Sequence, residues 1–169
     1  MANKEKVKLF NAVAGNPPIG FESRDGFWEQ VQMQARLALE EAQEQYDAAM
    51  AEDLIEVVDG AADLNFVQRY MEVLLESVGV MFAVAEDQVS INNLQKMSVN
   101  EGFVLQSQEE LYTSKGVGTY IDEVNYEGQI YYVVKRKEDG KCLKLLRHAP
   151  PNISLTIPSS TMQMLGKQE

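Results

Sequence analysis

The chain has few of the residues that build covalent or zinc-based frameworks. It contains one cysteine, Cys142, and one histidine, His148. A single cysteine cannot form an internal disulfide, and zinc sites take their ligands from several cysteines and histidines. The chain also lacks the run of about 18 apolar residues that a membrane helix needs. Its start, MANKEKVKLFNAVAG, lacks the apolar stretch of a signal peptide. These absences predict a cytoplasmic protein without membrane contact, disulfides or zinc.

Positive charge is also scarce. Lys and Arg number 15 against 26 Asp and Glu, so the formal net charge is −11. Such a chain repels the phosphates of nucleic acids and of anionic membranes, which argues against both as partners. It attracts cations instead. With 169 residues, of which 45% are hydrophobic, the chain is long enough to bury a core as one domain, with or without an appendage.

The sequence changes character near its middle. The first part shows the apolar spacing of amphipathic helices, interrupted at Pro17 and Pro18. From Gly102 onward, glycine-containing turns separate β-rich runs, which predict an antiparallel sheet of two or three strands within residues 120–146. We therefore predict a mainly α fold, with a four-helix core and a small C-terminal β-hairpin or sheet. The predicted helices cover residues 4–14, 27–50, 54–78 and 87–97. The predicted boundaries are a helical metal-binding core at 1–98, a β-rich extension of the same domain at 99–152 and a loosely ordered tail at 153–169.

Acidic residues concentrate in one stretch of this helical part. Nine carboxylates lie between Leu37 and Leu64. Glu40, Glu41 and Glu44 form an E-E-x-x-E pattern on the second predicted helix, and an E-x-x-D pattern follows on the third, at Glu56 and Asp59. Residues three or four apart share one helix face. The eleven residues between Glu44 and Glu56 leave room for a turn into an antiparallel helix, so the two acidic pairs are expected to face each other.

Carboxylates that converge in this way require a cation or protonation. A close pair repels by roughly 4 kcal/mol at an effective dielectric constant near 20. Oxygen donors suit Mg²⁺ or Mn²⁺, and we expect Glu41, Glu44, Glu56 and Asp59 to be the ligands. Acid-rich helices more often present only a solvated face. However, the E-x-x-D pair lies inside an apolar stretch, LIEVVDGAADLNFV, where unpartnered acids are costly.

The two acidic motifs together resemble those of the all-α NTP pyrophosphatase superfamily, which includes MazG-like proteins, dimeric dUTP and dCTP pyrophosphatases, and phosphoribosyl-ATP pyrophosphohydrolases. The resemblance implies a four-helix core that binds Mg²⁺ and hydrolyses a nucleoside triphosphate to the monophosphate and pyrophosphate. Glu41 and Glu44 match the second and third glutamates of the first motif, and Glu56 and Asp59 match the second motif. The resemblance also implies a homodimer or homotetramer.

Further motifs are similar to the phosphoribosyl-ATP pyrophosphohydrolase-like subset that is common in phages. The chain has N-x-x-K at Asn93 to Lys96, a D-G-K turn at Asp139 to Lys141, and Pro150-Pro151. It departs from the subset in having Ser90, and no histidine, shortly before N-x-x-K. It also has a longer connection, about residues 100–125. These departures leave the substrate open. If the protein is phage-encoded, its compartment is the host cytoplasm.

The resemblance and the chemistry of the side chains suggest roles for individual residues. Glu41 or Glu44 is expected to accept the proton of the attacking water. Lys96 is expected to act at a substrate phosphate in binding and catalysis, with Asn93 as a hydrogen-bonding partner of the substrate. Lys144 belongs to a basic cluster that is expected either to face the negative substrate or to form the solvent side of the sheet. The cluster consists of Lys135, Arg136, Lys137, Lys141, Lys144 and Arg147.

The sequence thus supports one main hypothesis and two alternatives. The main hypothesis is a Mg²⁺-dependent nucleotide pyrophosphohydrolase. An alternative within the same chemistry is the hydrolysis of phosphoribosyl-ATP or of an alarmone. An alternative of another class is a non-catalytic acidic interaction protein that mimics nucleic acid. A mimic is expected to spread its acids over the surface, whereas this chain concentrates them in two neighbouring helices.

Overall fold

The computed structural model describes residues 3–166 and divides the chain into two compact units. The first unit runs to Phe82 and includes the segment from Ser154 onward, and the second unit is Ala83–Ile153. The predicted class, mainly α with a small antiparallel sheet, is confirmed. None of the helices in the described range is long and apolar enough to cross a membrane.

The first unit is built on two long helices. Its helices are α1 (Asn3–Val13), α2 (Arg24–Met50), α3 (Leu54–Ser77) and the short α6 (Ser159–Leu165). Ser23 caps α2 by accepting a hydrogen bond from the Gly26 amide. Asp53 caps α3 by accepting hydrogen bonds from the amides of Ile55 and Glu56. Because only residues 51–53 connect α2 to α3, the two helices run antiparallel and pack along each other.

The core of the first unit lies at the end of the α2–α3 pair that is opposite to the connection between the two helices. Its buried apolar residues come from all four helices and the end of α3, with Tyr70 and Leu74 fully buried; they are Val7, Phe27, Tyr70, Val73, Leu74, Val78 and Leu165. Residues 153–169 were predicted to form a loosely ordered tail. The described part of that segment instead contains a 3-10 helix (Ile153–Thr156) and α6, so the prediction is wrong there. Leu165 packs in the core, and the Thr161 hydroxyl donates to the Val78 carbonyl at 2.5 Å.

The second unit packs one helix against a three-stranded antiparallel sheet. Its elements are α4 (Phe82–Leu94, which begins one residue before the unit), β1 (Met97–Ser98), α5 (Glu101–Leu111), a 3-10 helix (Thr113–Lys115), β2 (Thr119–Tyr126) and β3 (Gln129–Arg136). The strand order is β1–β3–β2. Val104 of α5 and Val134 of β3 are fully buried and form the centre of this unit with Leu145.

Several predicted elements of the second unit are displaced. The fourth helix was expected at residues 87–97 but spans Phe82–Leu94, and Met97 and Ser98 pair with β3. The sheet was predicted within residues 120–146, but strand β3 ends at Arg136 and the run around Cys142 contributes only an isolated bridge between Lys135 and Cys142. Helix α5 was not predicted. Its signal is Asn100, whose side chain caps the helix by accepting a hydrogen bond from the Phe103 amide at 3.0 Å.

Helices α2 and α3 approach each other closely at Gly60, which is buried. A Cβ atom at position 60 would lie 3.1 Å from the Gln45 Cβ and 3.2 Å from the Gln45 Cα. We expect Gly60→Leu to lower the free energy of unfolding by about 1–3 kcal/mol, because the branched side chain must push two helices apart. Urea denaturation followed by circular dichroism measures this change.

Gly102→Leu is the matched control. Gly102 lies in the first turn of α5, and the nearest atom to an added Cβ is the Asn100 Oδ1 at 3.5 Å, an ordinary contact. Leucine there should leave the unfolding free energy unchanged or raise it, since glycine costs about 1 kcal/mol in a helix. Equal losses for the two variants would contradict the tight α2–α3 contact.

Candidate functional site

The Gly60–Gln45 contact fixes which residues of α2 and α3 lie side by side. In an antiparallel pair, a residue before Gln45 lies level with a residue equally far after Gly60. Glu41 therefore lies level with Leu64, next to Asp63, and Glu44 lies level with Ala61. Glu56 lies towards the helix connection. The glycine allows the two backbones to approach, and this close approach brings acids of both helices to one surface.

A groove of about 390 Å³ runs along this surface and is strongly acidic. Three of the four predicted ligands, Glu44, Glu56 and Asp59, line it. The other lining residues are further acids and small residues: Asp47, Ala48, Ala51, Asp53, Gly60 and Asp63. No basic residue of the described chain lines the groove. A groove of one charge sign without a compensating cation favours the binding of a cation from solution.

Glu41, the fourth predicted ligand, lies beside this groove. Its pKa is raised above the ordinary value, first by partial burial and then by the negative charges of Asp63, Glu44, Glu40 and Asp59. Three of these four neighbours are the acids of the groove. Glu41 therefore lies near acids of the groove on both α2 and α3.

The donors are all carboxylate oxygens, which fits the oxygen ligands that Mg²⁺ prefers. Among the residues that the structure describes, however, no three acidic, histidine or cysteine side chains converge closely enough to hold a metal ion as they stand. Glu44, Glu56 and Asp59 are exposed, and exposed side chains change rotamer readily. Closing a metal site thus requires side-chain rotation, and the helix backbones already place the carboxylates on a common groove.

Asp63 belongs to the groove, and the prediction from sequence did not include it among the ligands. It lines the groove and is the first of the charges that raise the pKa of Glu41. Its signal was its position one turn after Asp59, on the same face of α3. Asp47, one turn after Glu44, lines the groove for the same reason.

One argument from the sequence is wrong for the isolated chain. The apolar stretch around Glu56 and Asp59 was expected to bury its side chains and so make the acids costly. Leu54, Ile55 and Val58 are instead 74%, 78% and 61% exposed. The two acids are therefore solvated, and their placement does not by itself demand a metal.

The predicted substrate-binding residues lie in the second unit. Asn93 is at the end of α4, and its Oδ1 accepts a hydrogen bond from the Lys96 Nζ at 2.7 Å, so the two motif residues form a pair. Lys144 is exposed, and the contact it makes is through its backbone carbonyl, which accepts from the Tyr112 hydroxyl at 2.7 Å.

Part of the basic cluster of the second unit is neutralised internally. Lys135 pairs with Asp122 across β2 and β3 at 2.5 Å, and Arg136 pairs with Asp139 at 2.5 Å. Arg136 and the Lys141 amide hold the pKa of Asp139 well below its ordinary value. Asp139 thus orders the turn of the D-G-K motif, and these ion pairs give Lys135 and Arg136 structural roles.

Neutralising an acid in or beside the groove should stabilise the metal-free protein. We expect Asp59→Asn and Glu41→Gln each to raise the melting temperature by about 1–4 °C at pH 7, since like-charge pairs on helices cost about 0.2–0.5 kcal/mol each. The pKa of Glu41 is raised in the folded state above its ordinary value of 4.5. The wild-type protein therefore loses stability as the pH rises from 4.5 through the raised pKa. The advantage of Glu41→Gln should therefore vanish below the ordinary Glu value of 4.5.

Differential scanning calorimetry in chelator at pH 4 and pH 7 measures this effect. Glu109→Gln, an exposed acid on α5, is the control and should change the melting temperature little at either pH. A decrease at pH 7 for both groove variants would show that these carboxylates do not repel one another.

Comparisons with protein-family models, with curated proteins and with solved structures find no match for this chain.

Proposed function

We propose that the protein is a Mg²⁺-dependent nucleotide pyrophosphohydrolase that cleaves the α–β phosphoanhydride of a nucleoside triphosphate to the monophosphate and pyrophosphate. The observation that carries the proposal is the acidic groove at the α2–α3 contact, with Glu44, Glu56 and Asp59 on its walls and Glu41 beside it. The choice of this reaction rests on the motifs E-E-x-x-E and E-x-x-D, which resemble those of the all-α NTP pyrophosphatase superfamily. The proposal includes a cytoplasmic location, where nucleotides are found.

The four carboxylates divide naturally into two roles. Glu44, Glu56 and Asp59 share the groove and would hold Mg²⁺, which when bound polarises phosphate oxygens and lowers the pKa of water. Glu41 does not line the groove, and its pKa is raised. A carboxylate with a raised pKa is the better proton acceptor near neutral pH. We therefore assign the general base to Glu41 rather than to Glu44.

The substrate contacts in the proposal come from the N-x-x-K motif. Lys96 carries the positive charge for a phosphate, and the Asn93 oxygen orients its ammonium group. Lys144 is an exposed cation without an ion pair in the described chain and is assigned to the same negative substrate. Phosphoribosyl-ATP or an alarmone carries the same negatively charged phosphates as a nucleoside triphosphate. An assay with several nucleotides is therefore required to identify the base and sugar of the substrate.

The alternative of another class, an acidic mimic of nucleic acid, is favoured less by the charge distribution. Six of the nine carboxylates between Leu37 and Leu64 line one groove. A mimic presents acids along an extended surface, as a phosphate backbone does. Charge gathered into one groove suits a small cation better than a large basic partner.

The proposal includes a homodimer or homotetramer. Helices α2 and α3 expose large apolar side chains, all of them more than half exposed: Leu39, Tyr46 and Met50 on α2, and Leu54, Ile55 and Val58 on α3. Apolar residues grouped in this way on a monomer mark interaction sites. A second copy, related by a two-fold axis, would cover this surface with its own equivalent.

Purified protein incubated with a panel of nucleotides and Mg²⁺ should release pyrophosphate and a nucleoside monophosphate. Glu41→Gln should lower kcat by about 10²–10⁴-fold, the usual contribution of a general base. Asp59→Asn should instead raise the Mg²⁺ concentration required for half-maximal rate, because it removes a ligand. Chromatographic separation of products at varied Mg²⁺ measures both effects.

Glu109→Gln on α5 serves as the control for a lost surface charge and should retain full activity. Release of inorganic phosphate instead of pyrophosphate would contradict cleavage of the α–β bond. Absence of turnover with every nucleotide, together with tight binding to a basic protein without metal, would favour the acidic mimic.

Ile55→Glu should shift the protein towards the monomer, because it places a charge in the surface proposed to be covered. Size-exclusion chromatography with light scattering measures the mass directly. Leu105→Glu on α5 is the matched control, since Leu105 is 49% exposed in the second unit and should leave the mass unchanged. A wild-type protein that is monomeric at micromolar concentration would rule out the dimer.

A further inference from the structure

The second unit contains a cleft that differs in character from the acidic groove. It has a volume of about 500 Å³, within the usual range of small-molecule sites. Its walls combine polar and apolar side chains: Gln95, Met97, Ser98, Asn100, Phe103, Leu145, Arg147 and His148. None of these residues is acidic, although the chain as a whole carries a net charge of −11.

Hydrogen-bond donors dominate the polar part of the cleft. The Ser98 hydroxyl oxygen accepts from the Asn100 amide at 3.1 Å, and the Asn100 side-chain oxygen accepts from the Phe103 amide at 3.0 Å. Because both oxygens already accept hydrogen bonds, the Ser98 O–H and the Asn100 NH₂ group remain available to donate to a ligand. Both side chains therefore present donors, which suit an anionic oxygen.

Arg147 adds a positive charge. Its guanidinium lies over the Phe103 ring, 5.5 Å from the ring centroid, and forms no ion pair with the acids of residues 3–166. Stacking on an aromatic face leaves the N–H edge of a guanidinium free for bidentate bonds to a phosphate or carboxylate. Arg147 is thus positioned to bind an oxyanion in the cleft.

His148 also lines the cleft. Both of its ring nitrogens are shielded from solvent and have no hydrogen-bond partner. Among the described residues, these are the buried side-chain nitrogen and oxygen atoms for which no partner is found. An unpaired buried polar group costs about 1–3 kcal/mol.

We infer that this cleft binds a nucleotide, with its phosphate on Arg147 and its ring system against the apolar wall. Inorganic phosphate would accept hydrogen bonds from the donors, but it would leave Met97 and Phe103 without a ligand contact and most of the cleft filled with water. A ring-bearing anion fills both parts. The choice of a nucleotide among ring-bearing anions rests on the proposed function, whereas the anion preference rests on the cleft alone.

Isothermal titration calorimetry tests this inference. The protein is the full chain with the substitutions Glu44→Gln and Asp59→Asn, which disable the acidic groove, and the buffer contains a chelator to remove metal ions. The probes are AMP, CMP, adenosine, cytidine and inorganic phosphate. We expect one nucleoside monophosphate to bind at least tenfold more tightly than its nucleoside and than inorganic phosphate. Because neither metal nor turnover is needed, the result is independent of whether the wild-type protein hydrolyses nucleotides.

Arg147→Gln should weaken this binding at least tenfold, while Arg36→Gln, an equal charge change at an exposed position on α2, should not alter it. His148→Phe should weaken binding and raise the melting temperature, because it removes the unpaired ring nitrogens. Binding that is unchanged in both Arg147→Gln and His148→Phe would overturn the proposal. So would inorganic phosphate that binds as tightly as the nucleotide, or no binding of any probe.

Discussion

The close contact between Gly60 and Gln45 is the constraint on which the candidate site depends. A Cβ atom at position 60 would lie only 3.1 Å from the Gln45 Cβ and 3.2 Å from the Gln45 Cα, so glycine permits this separation of the two helices. Register in turn decides that Glu41 lies next to Asp63 and that Glu44 shares a groove with Asp59. The acids are supplied by the motifs, but the surface they share is a product of helix packing. A shift of the two helices by one turn, about 5.4 Å, would separate them.

The helix pair carries two features that are unfavourable for an isolated chain. Six carboxylates line one groove, and apolar residues such as Ile55 and Val58 are exposed nearby. Neither feature stabilises the fold, whose core lies at the other end of α2 and α3. Natural proteins retain such costs at sites of function, where a ligand or partner offsets them. Under the proposed function, a bound cation would relieve the charge and a second copy of the chain would cover the apolar surface.

The sequence predicts the long helices well because local signals and packing agree there. The α2–α3 connection follows from Asp53, a capping residue ahead of an unbroken periodic stretch. Helix α6 was not predicted because it is held by a tertiary contact, that of Leu165 with the core of the first unit. Helix α5 does have a local signal, the cap residue Asn100, but its packing through Val104 against β3 is visible only in the structure. The acidic residues of the site were predictable from spacing. The exposure of the apolar residues between them was not, because burial depends on which surfaces the rest of the fold covers.

The cleft around Arg147 and His148 shows why a site can be missed when residues are judged one at a time. In the sequence, Arg147 is one of six basic residues near a sheet, and a lone histidine is unremarkable. The structure separates them: Lys135 and Arg136 are committed to ion pairs, whereas Arg147 stacks on Phe103 without one. Arg147 shares the lack of an ion pair with Lys144, but it also stacks on an aromatic ring and lines a cleft that has no acidic side chain. The cleft of the second unit thus suits an anion, whereas the acidic groove of the first unit suits a cation.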